Sequence, residues 1–317
     1  MKYVLQFFIS LVIFSLSCSG GHHDKTITEI GPNDVKYRTV FFEKVFSFDG
    51  DSSDYSFIDI VASKNGQFFG FDQNSGSIVK IVNDSVVNQT GGIGDGPNEY
   101  DVEAKPSLLI CDENNLIAFE LKAARYQVYD IDLNYISSVL LDAIPEEIVC
   151  YSQDEIAVFY HIKEGIDIMH FDGSLTRSLK FVEDWPGNNL TFKEAIYTNN
   201  NFFISYTFDP RLAIYKVGYG MSDLISLPVI NRDSVKFATK NISKSSNNIH
   251  LYFYDDHIST PKAKRKKGHV FSDSGEYLYS YHVPSSVNYY KFFSEDKLVA
   301  VEDTLQRIVI YNFMINE

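Results

Sequence analysis

Three carboxylates stand at matching positions in the sequence, each directly after a short apolar segment typical of a β-strand. Asp72 follows QFFGF, Glu120 follows LIAF and Glu302 follows KLVAV. Carboxylate oxygens suit Ca²⁺, so three of them brought together around a central channel would form a calcium site. Alternatively, each carboxylate accepts hydrogen bonds from turn amides close to it in the chain. The spacing leaves both interpretations open, and we favour the local one.

His161 is the histidine that we single out as a candidate catalytic residue. It follows a similar segment, EIAVFY, and Lys163 lies nearby. An imidazole changes its charge near neutral pH and can therefore act as an acid or a base. However, the sequence has no Ser/His/Asp order with a nucleophile elbow and no Cys/His spacing typical of zinc sites. It therefore predicts no particular reaction.

The glycine-rich stretch GGIGDGPNEY, residues 91–100, invites comparison with phosphate-binding loops. A dinucleotide fingerprint needs a helix after the glycines, but the following DVEAKPSLLI has no helical periodicity. A P-loop would need a Gly-Lys-Ser/Thr sequence, which is missing here. We interpret the stretch as a corner of the fold, because glycine permits positive φ and Pro97 fixes one turn position. Glu99 and Tyr100 are its candidate binding side chains.

The segments that carry these residues recur at a regular interval. A polar turn followed by a short apolar strand occurs six times, with intervals of 40 to 48 residues between the strand ends. This period fits one four-stranded propeller blade, and further strand-like segments fill the space between the repeats. The sequence therefore predicts an all-β fold, a six-bladed β-propeller. The strands that define the repeat end at Phe71, Phe119, Phe159, Tyr206, Phe253 and Val301.

The sixth repeat lacks a fourth strand, whereas the apolar segment VFFEKVFSF stands before the first repeat at residues 40–48. A ring with an open seam would expose unpaired strand edges. We therefore expect this N-terminal strand to close the last blade, which gives one propeller domain over residues 34–317. The alternative, a two-domain β protein, would need a boundary where the period is unbroken.

The N-terminus has the pattern of a secretion signal. Lys2 precedes an apolar segment that runs to Leu16, which predicts a signal peptide over residues 1–17. The sequence SLSC at 15–18 also resembles a bacterial lipoprotein signal, which implies a lipidated Cys18. We expect residues 18–33 to form a flexible linker and the lipid alone to hold the exported protein on a membrane. Because no dense acidic cluster follows Cys18, we favour the periplasmic side over the cell surface.

Cys111 and Cys150 each lie in an apolar, strand-like segment. Buried free cysteines commonly behave as small apolar residues, and we favour this state for both. A disulfide between them is also permitted in the oxidising compartment that export implies. The sequence alone does not decide between the two.

The charge of the chain argues against one class of partner. The formal net charge is −14 at pH 7, which repels nucleic-acid phosphates, so we expect no nucleic-acid partner. The one dense basic run, KAKRKK at residues 262–267, is interpreted as a solvated hairpin tip.

The sequence GIGDGPNEY at residues 92–100, one blade after a signal and Cys18, resembles the Gly-x-Gly-x-Gly-Pro-Gly-Glu-Tyr/Phe signature of a known family. This family comprises six-bladed β-propeller lipoproteins of Bacteroides-type bacteria, distantly similar to NHL-repeat propellers. Asn98 stands where the signature has glycine, and asparagine also tolerates positive φ. The resemblance implies a fold and a location. It implies no activity, because a fold does not determine a function.

We therefore predict a non-catalytic, lipid-anchored propeller of the cell envelope that binds a protein, peptide or glycan. The alternative is a metal-dependent hydrolase or lyase with its site at the mouth of the propeller channel. No cofactor is expected beyond the calcium ion considered above. The candidate residues are Cys18 for lipidation and, for binding, Asp72, Glu120, Glu302, His161, Glu99 and Tyr100.

Overall fold

The computed structural model describes residues 26–30, 33–48, 55–63, 65–83, 85–104, 106–160, 165–180, 192–206, 211–217, 220–226, 235–257, 265–302 and 307–316. Short segments rich in Val, Ile, Phe and Tyr form strands there, as expected for residues that fit a pleated surface. In chain order the strands are β1 (Thr26–Glu29), β2 (Val40–Phe48), β3 (Phe57–Ala62), β4 (Phe68–Asp72), β5 (Ser77–Val82), β6 (Ser85–Gly91), β7 (Ser107–Ile110), β8 (Asn115–Glu120), β9 (Arg125–Asp130), β10 (Tyr135–Leu140), β11 (Glu147–Cys150), β12 (Glu155–Tyr160), β13 (Gly165–His170), β14 (Leu175–Lys180), β15 (Phe192–Thr198), β16 (Asn201–Tyr206), β17 (Arg211–Lys216), β18 (Gly220–Ser226), β19 (Val235–Lys244), β20 (Asn248–His257), β21 (Arg265–Ser272), β22 (Tyr277–His282), β23 (Val287–Phe292), β24 (Lys297–Glu302) and β25 (Ile308–Ile315).

The strands form six antiparallel sheets, which are the blades of a six-bladed β-propeller. Blades 1 to 5 are β3–β6, β7–β10, β11–β14, β15–β18 and β19–β22, and blade 6 is β23–β25 with β2. The first strand of each blade is innermost, and the innermost strands of neighbouring blades are adjacent. Within the parts of the chain described, the helical element is the short 3-10 turn Val102–Ala104, and no helix is long and apolar enough to cross a membrane. The fold class predicted from the repeat is confirmed.

The core lies between the blades. Six clusters of buried side chains each join two neighbouring blades, and the sixth joins blade 6 to blade 1. Aromatic pairs contribute at these contacts: the ring centroids of Phe159 and Phe202 lie 5.2 Å apart between blades 3 and 4. Those of Tyr252 and Tyr290 lie 5.0 Å apart between blades 5 and 6. The high aromatic content is therefore used to fill the widening space between twisted sheets.

Ring closure follows the predicted route. β2 pairs antiparallel with β25, from Val40 opposite Ile315 to Phe48 opposite Ile308, and so supplies the fourth strand of blade 6. Phe48 is buried and packs in the cluster between blades 6 and 1, together with Phe57. The N-terminal strand therefore both completes a sheet and joins the first blade to the last.

The residues before β2 follow the outer edges of two other blades, and we call residues 26–30 and 33–39 the N-terminal strap. β1 pairs in parallel with β18, the outer strand of blade 4. Ser280 of β22, in blade 5, accepts a hydrogen bond from the Arg38 amide at 2.9 Å. Ile30 is buried between blades 4 and 5. The segment predicted as a flexible linker thus contains a paired strand at its C-terminal end, while residues 1–25 lie outside the described residues.

Blade 5 departs from the sequence-based interpretation in two ways. Its innermost strand β19, VKFATKNISK, was not identified as a strand, because its apolar residues are interrupted by lysine, threonine and asparagine. The basic run was interpreted as a solvated hairpin tip, which is wrong for Lys266 and Lys267, both buried in β21. Lys266 Nζ donates a hydrogen bond to the Ser285 carbonyl at 2.7 Å. The Lys266 ammonium group is thus buried and hydrogen-bonded. Residues 262–264 lie outside the described residues.

Replacing Ile30 with alanine tests whether the strap stabilises the propeller. Ile30 is 7% exposed, so we expect the Ile30→Ala variant to lose about 2 kcal/mol of unfolding free energy. Urea unfolding followed by tyrosine fluorescence measures the change. The matched control is Val45→Ala in β2, a side chain 56% exposed, which should change the free energy by less than about 0.5 kcal/mol. Equal effects of the two substitutions would contradict the packing described for the strap.

Candidate functional site

The glycine-rich stretch forms the crossing from the outer strand of blade 1 to the inner strand of blade 2. Its loop folds around the side chain of Glu99, whose Oε2 accepts a hydrogen bond from the Gly96 amide at 2.8 Å. A Cβ atom added to Gly94 would lie 2.2 Å from the same oxygen, and one added to Gly96 would lie 2.8 Å from it. A side chain at either position would therefore displace the Glu99 carboxylate from the loop. A loop that looked suitable for phosphate thus holds a carboxylate of its own chain.

Blade 2 holds the crossing in place through Arg125, a residue that sequence reasoning missed. Its guanidinium donates to the carbonyls of Glu99 at 2.8 Å and of Asp95 and Gly96 at 3.2 Å. The Nε atom donates to Oε2 of Glu120 at 2.8 Å. Glu120 is fully buried, and its other oxygen accepts a hydrogen bond from the Asp101 amide at 2.8 Å. Arg125 and Glu120 thus form a buried ion pair that fixes the loop.

Tyr100 is a core residue in this structure. It is fully buried, and its ring packs edge-on against Phe71 at a centroid distance of 5.1 Å. Its hydroxyl donates to the Tyr129 hydroxyl at 2.6 Å, which in turn donates to Asn98 at 2.8 Å. Burial raises the pKa of Tyr100 well above its usual value. Tyr100 therefore packs in the core, whereas Glu99 is half-buried and its carboxylate is hydrogen-bonded within the loop. Binding at either residue stays a prediction.

Asn98 adopts the left-handed conformation expected at the position where the signature has glycine. Its φ is +61°, and its main-chain amide donates a hydrogen bond to Oε1 of Gln127 at 2.8 Å. Gln127 Nε2 also donates to the Glu99 carbonyl at 2.9 Å. Asparagine is one of the residues that tolerate this positive φ, as the turn requires.

The predicted trio of carboxylates lies at equivalent strand ends, and each is held by its own blade or the crossing next to it. Asp72 accepts hydrogen bonds from the amides of Ser56 at 2.6 Å and Ser75 at 3.0 Å. Glu302 accepts hydrogen bonds from the Tyr311 hydroxyl at 2.6 Å and from Arg307 Nε at 2.5 Å. Although burial raises the pKa of Glu302, these hydrogen bonds and the nearby Lys44 lower it below its usual value.

The metal site and two further candidate residues stay predictions. Across the described residues, no group of three or more His, Cys, Asp or Glu side chains is placed to hold a metal ion. The shared calcium site at Asp72, Glu120 and Glu302 stays a prediction. His161 and Cys18 lie outside the described residues.

A ring of mostly polar residues at matching positions of the six innermost strands was not found from the sequence. Asp59 Oδ2 accepts the Leu108 amide at 2.7 Å, which ties blade 1 to blade 2. Glu194 Oε2 accepts the Ile242 amide at 2.9 Å, which ties blade 4 to blade 5. The sequence has an acidic residue near the start of the innermost strand in blades 1, 3 and 4. Acidic residues are also common at ordinary strand ends, so the sequence alone did not mark these as a set. The ring comprises Asp59, Ser107, Glu147, Glu194, Asn241 and Tyr289, one from each innermost strand.

A lysine from blade 6 lies among the carboxylates of this ring. Lys291 Nζ is 3.3 Å from Oδ1 of Asp59. Burial lowers the pKa of Lys291, but Asp59, Glu194 and Glu147 raise it above its ordinary value, so the ammonium stays charged. Burial, together with the same three carboxylates, raises the pKa of Tyr289. Three carboxylates therefore lie near a single ammonium group in this part of the channel.

Two cavities that share the lining residues Ala62, Ile110, Lys244 and Phe292 lie at the innermost strands. The channel cavity, about 300 Å³, is bounded by all six innermost strands and includes Glu147, Glu194 and Lys291. The mouth cavity, about 830 Å³, opens at the turns between the first and second strands of blades 1, 2, 3, 5 and 6. Its exposed polar residues are Glu113, Asn114, Gln153, Lys244, Ser246 and Glu295.

A disulfide joins two blades beside these cavities. Cys111, which lines the mouth cavity, is bonded to Cys150, which lines the channel cavity, with their Cα atoms 5.1 Å apart. This corrects the preferred interpretation of two free thiols. Both residues occupy the ends of innermost strands in adjacent blades, a closeness that periodicity within each blade does not reveal. The bond links blade 2 to blade 3 at the mouth.

Comparisons with solved structures return propellers of low sequence identity. A Bacteroides fragilis protein named as an exported protein is 14% identical, with a TM-score of 0.58, over 92% of this chain and 100% of that chain. A member of the DUF4221 family from Bacteroides vulgatus is 10% identical, with a TM-score of 0.59, over 88% and 99%. The two Bacteroides structures therefore share the fold of this chain, and at these identities the similarity shows the fold alone.

A third similar structure is an enzyme. Virginiamycin B lyase from Staphylococcus aureus is 11% identical, with a TM-score of 0.55, over 86% of this chain and 99% of that chain. No protein-family model matches the chain, and no curated protein matches its sequence. The chain is thus a six-bladed propeller for which the comparisons supply an architecture and no activity.

The buried ion pair at the crossing yields a test of how the glycine-rich loop is held. In the Arg125→Ala variant, Glu120 remains buried without its cation, so we expect a loss of about 3 kcal/mol of unfolding free energy. Arg125→Lys should recover less than half, because an ammonium cannot reproduce the several directed hydrogen bonds of the guanidinium. The control is Lys122→Ala on the adjacent exposed turn, and urea unfolding is the measurement. If Arg125→Ala and Lys122→Ala are equally stable, the ion pair does not hold the loop.

Proposed function

We propose that this protein is an exported, lipid-anchored propeller of the bacterial cell envelope that binds a peptide, a glycan or a segment of an envelope protein at the mouth cavity. The binding is non-catalytic in this proposal. The ring of blades is the rigid scaffold, and the turns between first and second strands provide the contact groups. Ligand sites in propellers and other closed β folds commonly use such loops, which vary while the scaffold is preserved.

The mouth cavity is the observation that carries the proposal. With a volume of about 830 Å³, it is within the range of sites for small molecules and short oligomers. Its exposed groups include two carboxylates, two carboxamides, a hydroxyl and an ammonium from four blades. Such groups form directed hydrogen bonds with the amides of a peptide or the hydroxyls of a glycan.

The proposed envelope location is supported by two features of this chain and by one similar protein. The N-terminal sequence has the pattern of a secretion signal with a cysteine at its end. The disulfide between Cys111 and Cys150 suits an oxidising compartment. The similar protein from Bacteroides fragilis also carries the name of an exported protein. We place this chain in the same setting, with the propeller held on the membrane through a lipid at Cys18.

A screen with a blocked mouth tests the binding site. The purified protein is applied to arrays of envelope glycans and of peptides, in parallel with the Ser246→Trp and Asn114→Trp variants, which place an indole at the exposed edge of the mouth cavity. We expect a ligand of the unaltered protein to bind at least about tenfold more weakly to both variants. Ser274→Trp, on an exposed turn of blade 5 away from the cavity, is the matched control and should bind normally. A ligand that binds all four proteins equally would place the site elsewhere.

Replacing the lipidated cysteine tests the anchor. Since a lipid with two or more acyl chains holds a protein stably on a membrane, Cys18→Ala should move the exported protein from the membrane fraction to the soluble fraction. Quantitative fractionation with an antibody against the propeller measures the shift. Cys111→Ala, which breaks the disulfide with Cys150 and leaves Cys18 in place, is the control and should stay in the membrane fraction. Unchanged membrane association of Cys18→Ala would contradict the lipoprotein proposal.

A further inference from the structure

A serine and a histidine of blade 5 are hydrogen-bonded to each other at the wall of the mouth cavity. Ser245 directly follows β19 and is one of the residues that line this cavity. Its amide donates to the Asn248 carbonyl at 2.9 Å, which closes a tight turn into β20. His250 in β20 therefore lies beside Ser245, and the Ser245 Oγ and His250 Nε2 atoms are 3.1 Å apart. A serine hydroxyl at this distance from an imidazole can act as a nucleophile, because the ring takes its proton.

The second nitrogen of this imidazole is held by a tyrosine. His250 Nδ1 is 3.3 Å from the Tyr281 hydroxyl, which is 2.6 Å from the Tyr290 hydroxyl of blade 6. We assign the hydrogen to Nδ1, because Tyr281 can accept it while donating its own to Tyr290. Nε2 then accepts the Ser245 hydroxyl, whose distance to the Asn248 carbonyl is longer, at 3.5 Å. A nucleophile, a base and an orienting group thus form one chain of hydrogen bonds.

Packing fixes the positions of the imidazole and the tyrosine. The Phe292 ring stacks on His250 with the ring centroids 4.0 Å apart. A Cβ atom added to Gly268 would lie 2.2 Å from the Tyr281 ring, so glycine leaves the room that this ring needs. All three members of the chain are buried, but Ser245 lines the mouth cavity. A molecule that enters the cavity therefore meets the serine, with the histidine and tyrosine behind it.

Burial determines the charge of the imidazole and the strength of the base. It lowers the pKa of His250 to about 3, so the ring is neutral at pH 7 and free to accept a proton. Burial also raises the pKa of Tyr281 well above its usual value, so this hydroxyl keeps its hydrogen. A base of low pKa accepts a proton weakly. The serine should therefore react with an activated acyl group, whose leaving group needs little assistance.

We propose that Ser245 is a nucleophile that accepts an acyl group from an activated ester in the mouth cavity, with His250 as its base and Tyr281 as a positioning residue. The Ser245 oxygen forms a bond to the acyl carbon while its proton passes to Nε2 of His250. The bond from the acyl carbon to the ester oxygen then breaks, and the leaving alcohol takes the proton from Nε2. The products are an acyl-serine and an alcohol. This reaction goes beyond the binding proposed for the cavity, which requires no covalent step.

The experiment exposes the full-length protein to 4-nitrophenyl acetate, an activated ester. We expect a burst of 4-nitrophenolate equal to one acetyl group per chain, which peptide mass spectrometry should locate on Ser245. Ser245→Ala should abolish the burst. Ser246→Ala removes an exposed hydroxyl from the same turn and is the matched control, which should change the acylation rate less than about twofold.

Two further variants test the base and the positioning residue. His250→Gln should lower the acylation rate constant at saturating ester at least about tenfold, because a carboxamide does not take the proton. Tyr281→Phe removes one hydroxyl and should lower it at least about threefold. The half-saturating ester concentration should stay the same in both variants, because neither side chain lines the mouth cavity. Circular dichroism checks the folding, and Tyr281→Phe decides the test if His250→Gln is unfolded.

Each of three results would overturn the proposal. These are no acetyl group on Ser245 after exposure to about 1 mM ester, equal acetylation of Ser245 and Ser246, or acetylation of Ser245 at an unaltered rate in Tyr281→Phe. A failure here is distinct from a failure of the proposed binding. A mouth ligand found on the arrays should still bind the Ser245→Ala variant.

Discussion

The antiparallel pairing of β2 with β25 is the contact that converts a row of blades into a ring. Without it, blade 6 would have three strands, and the apolar faces that meet at the seam would be open to water. The pairing also brings Phe48 into the cluster that joins blades 6 and 1. One channel contact also crosses this seam, because Lys291 of blade 6 meets Asp59 of blade 1 there.

Closure creates a second requirement, since it places polar main-chain groups of the innermost strands around a narrow channel. Buried amides need acceptors, and side chains of the neighbouring innermost strand provide several of them. Asp59 and Glu194 each accept an amide of the next innermost strand, and Ser243 accepts the amide of Phe292 at 2.8 Å. Asp59 and Glu194 also lie near the Lys291 ammonium group. The same residues therefore satisfy main-chain amides and determine the charge near Lys291. This structural role restricts which substitutions at these positions could adapt the channel to a ligand.

The sequence was informative where a feature repeats and uninformative where blades meet. The period of the strands predicted six blades, and the unassigned segment at residues 40–48 predicted the closing strand, because both follow from counting local patterns. The contacts of Arg125 with the glycine-rich crossing, and of Cys111 with Cys150, join residues 26 and 39 positions apart through neighbouring blades. Such contacts depend on how two sheets pack, which no local pattern contains. The burial of Lys266 was missed for a related reason. A basic run indicates an exposed segment only when no buried acceptor is close, and here the Ser285 carbonyl accepts a hydrogen bond from Lys266.

The position of β25 has a consequence for how the chain reaches its native state. β25 lies between β24, its predecessor in sequence, and β2, which is made before any blade. The sheet of blade 6 therefore cannot be completed until the last strand has been synthesised, and Val40 must then find a partner as distant as Ile315. Pairings of such high sequence separation form slowly. During that delay the edge of β2, with its exposed Phe41 and Val45, would be open to other chains. The timing of this single step would then decide between a closed ring and aggregation.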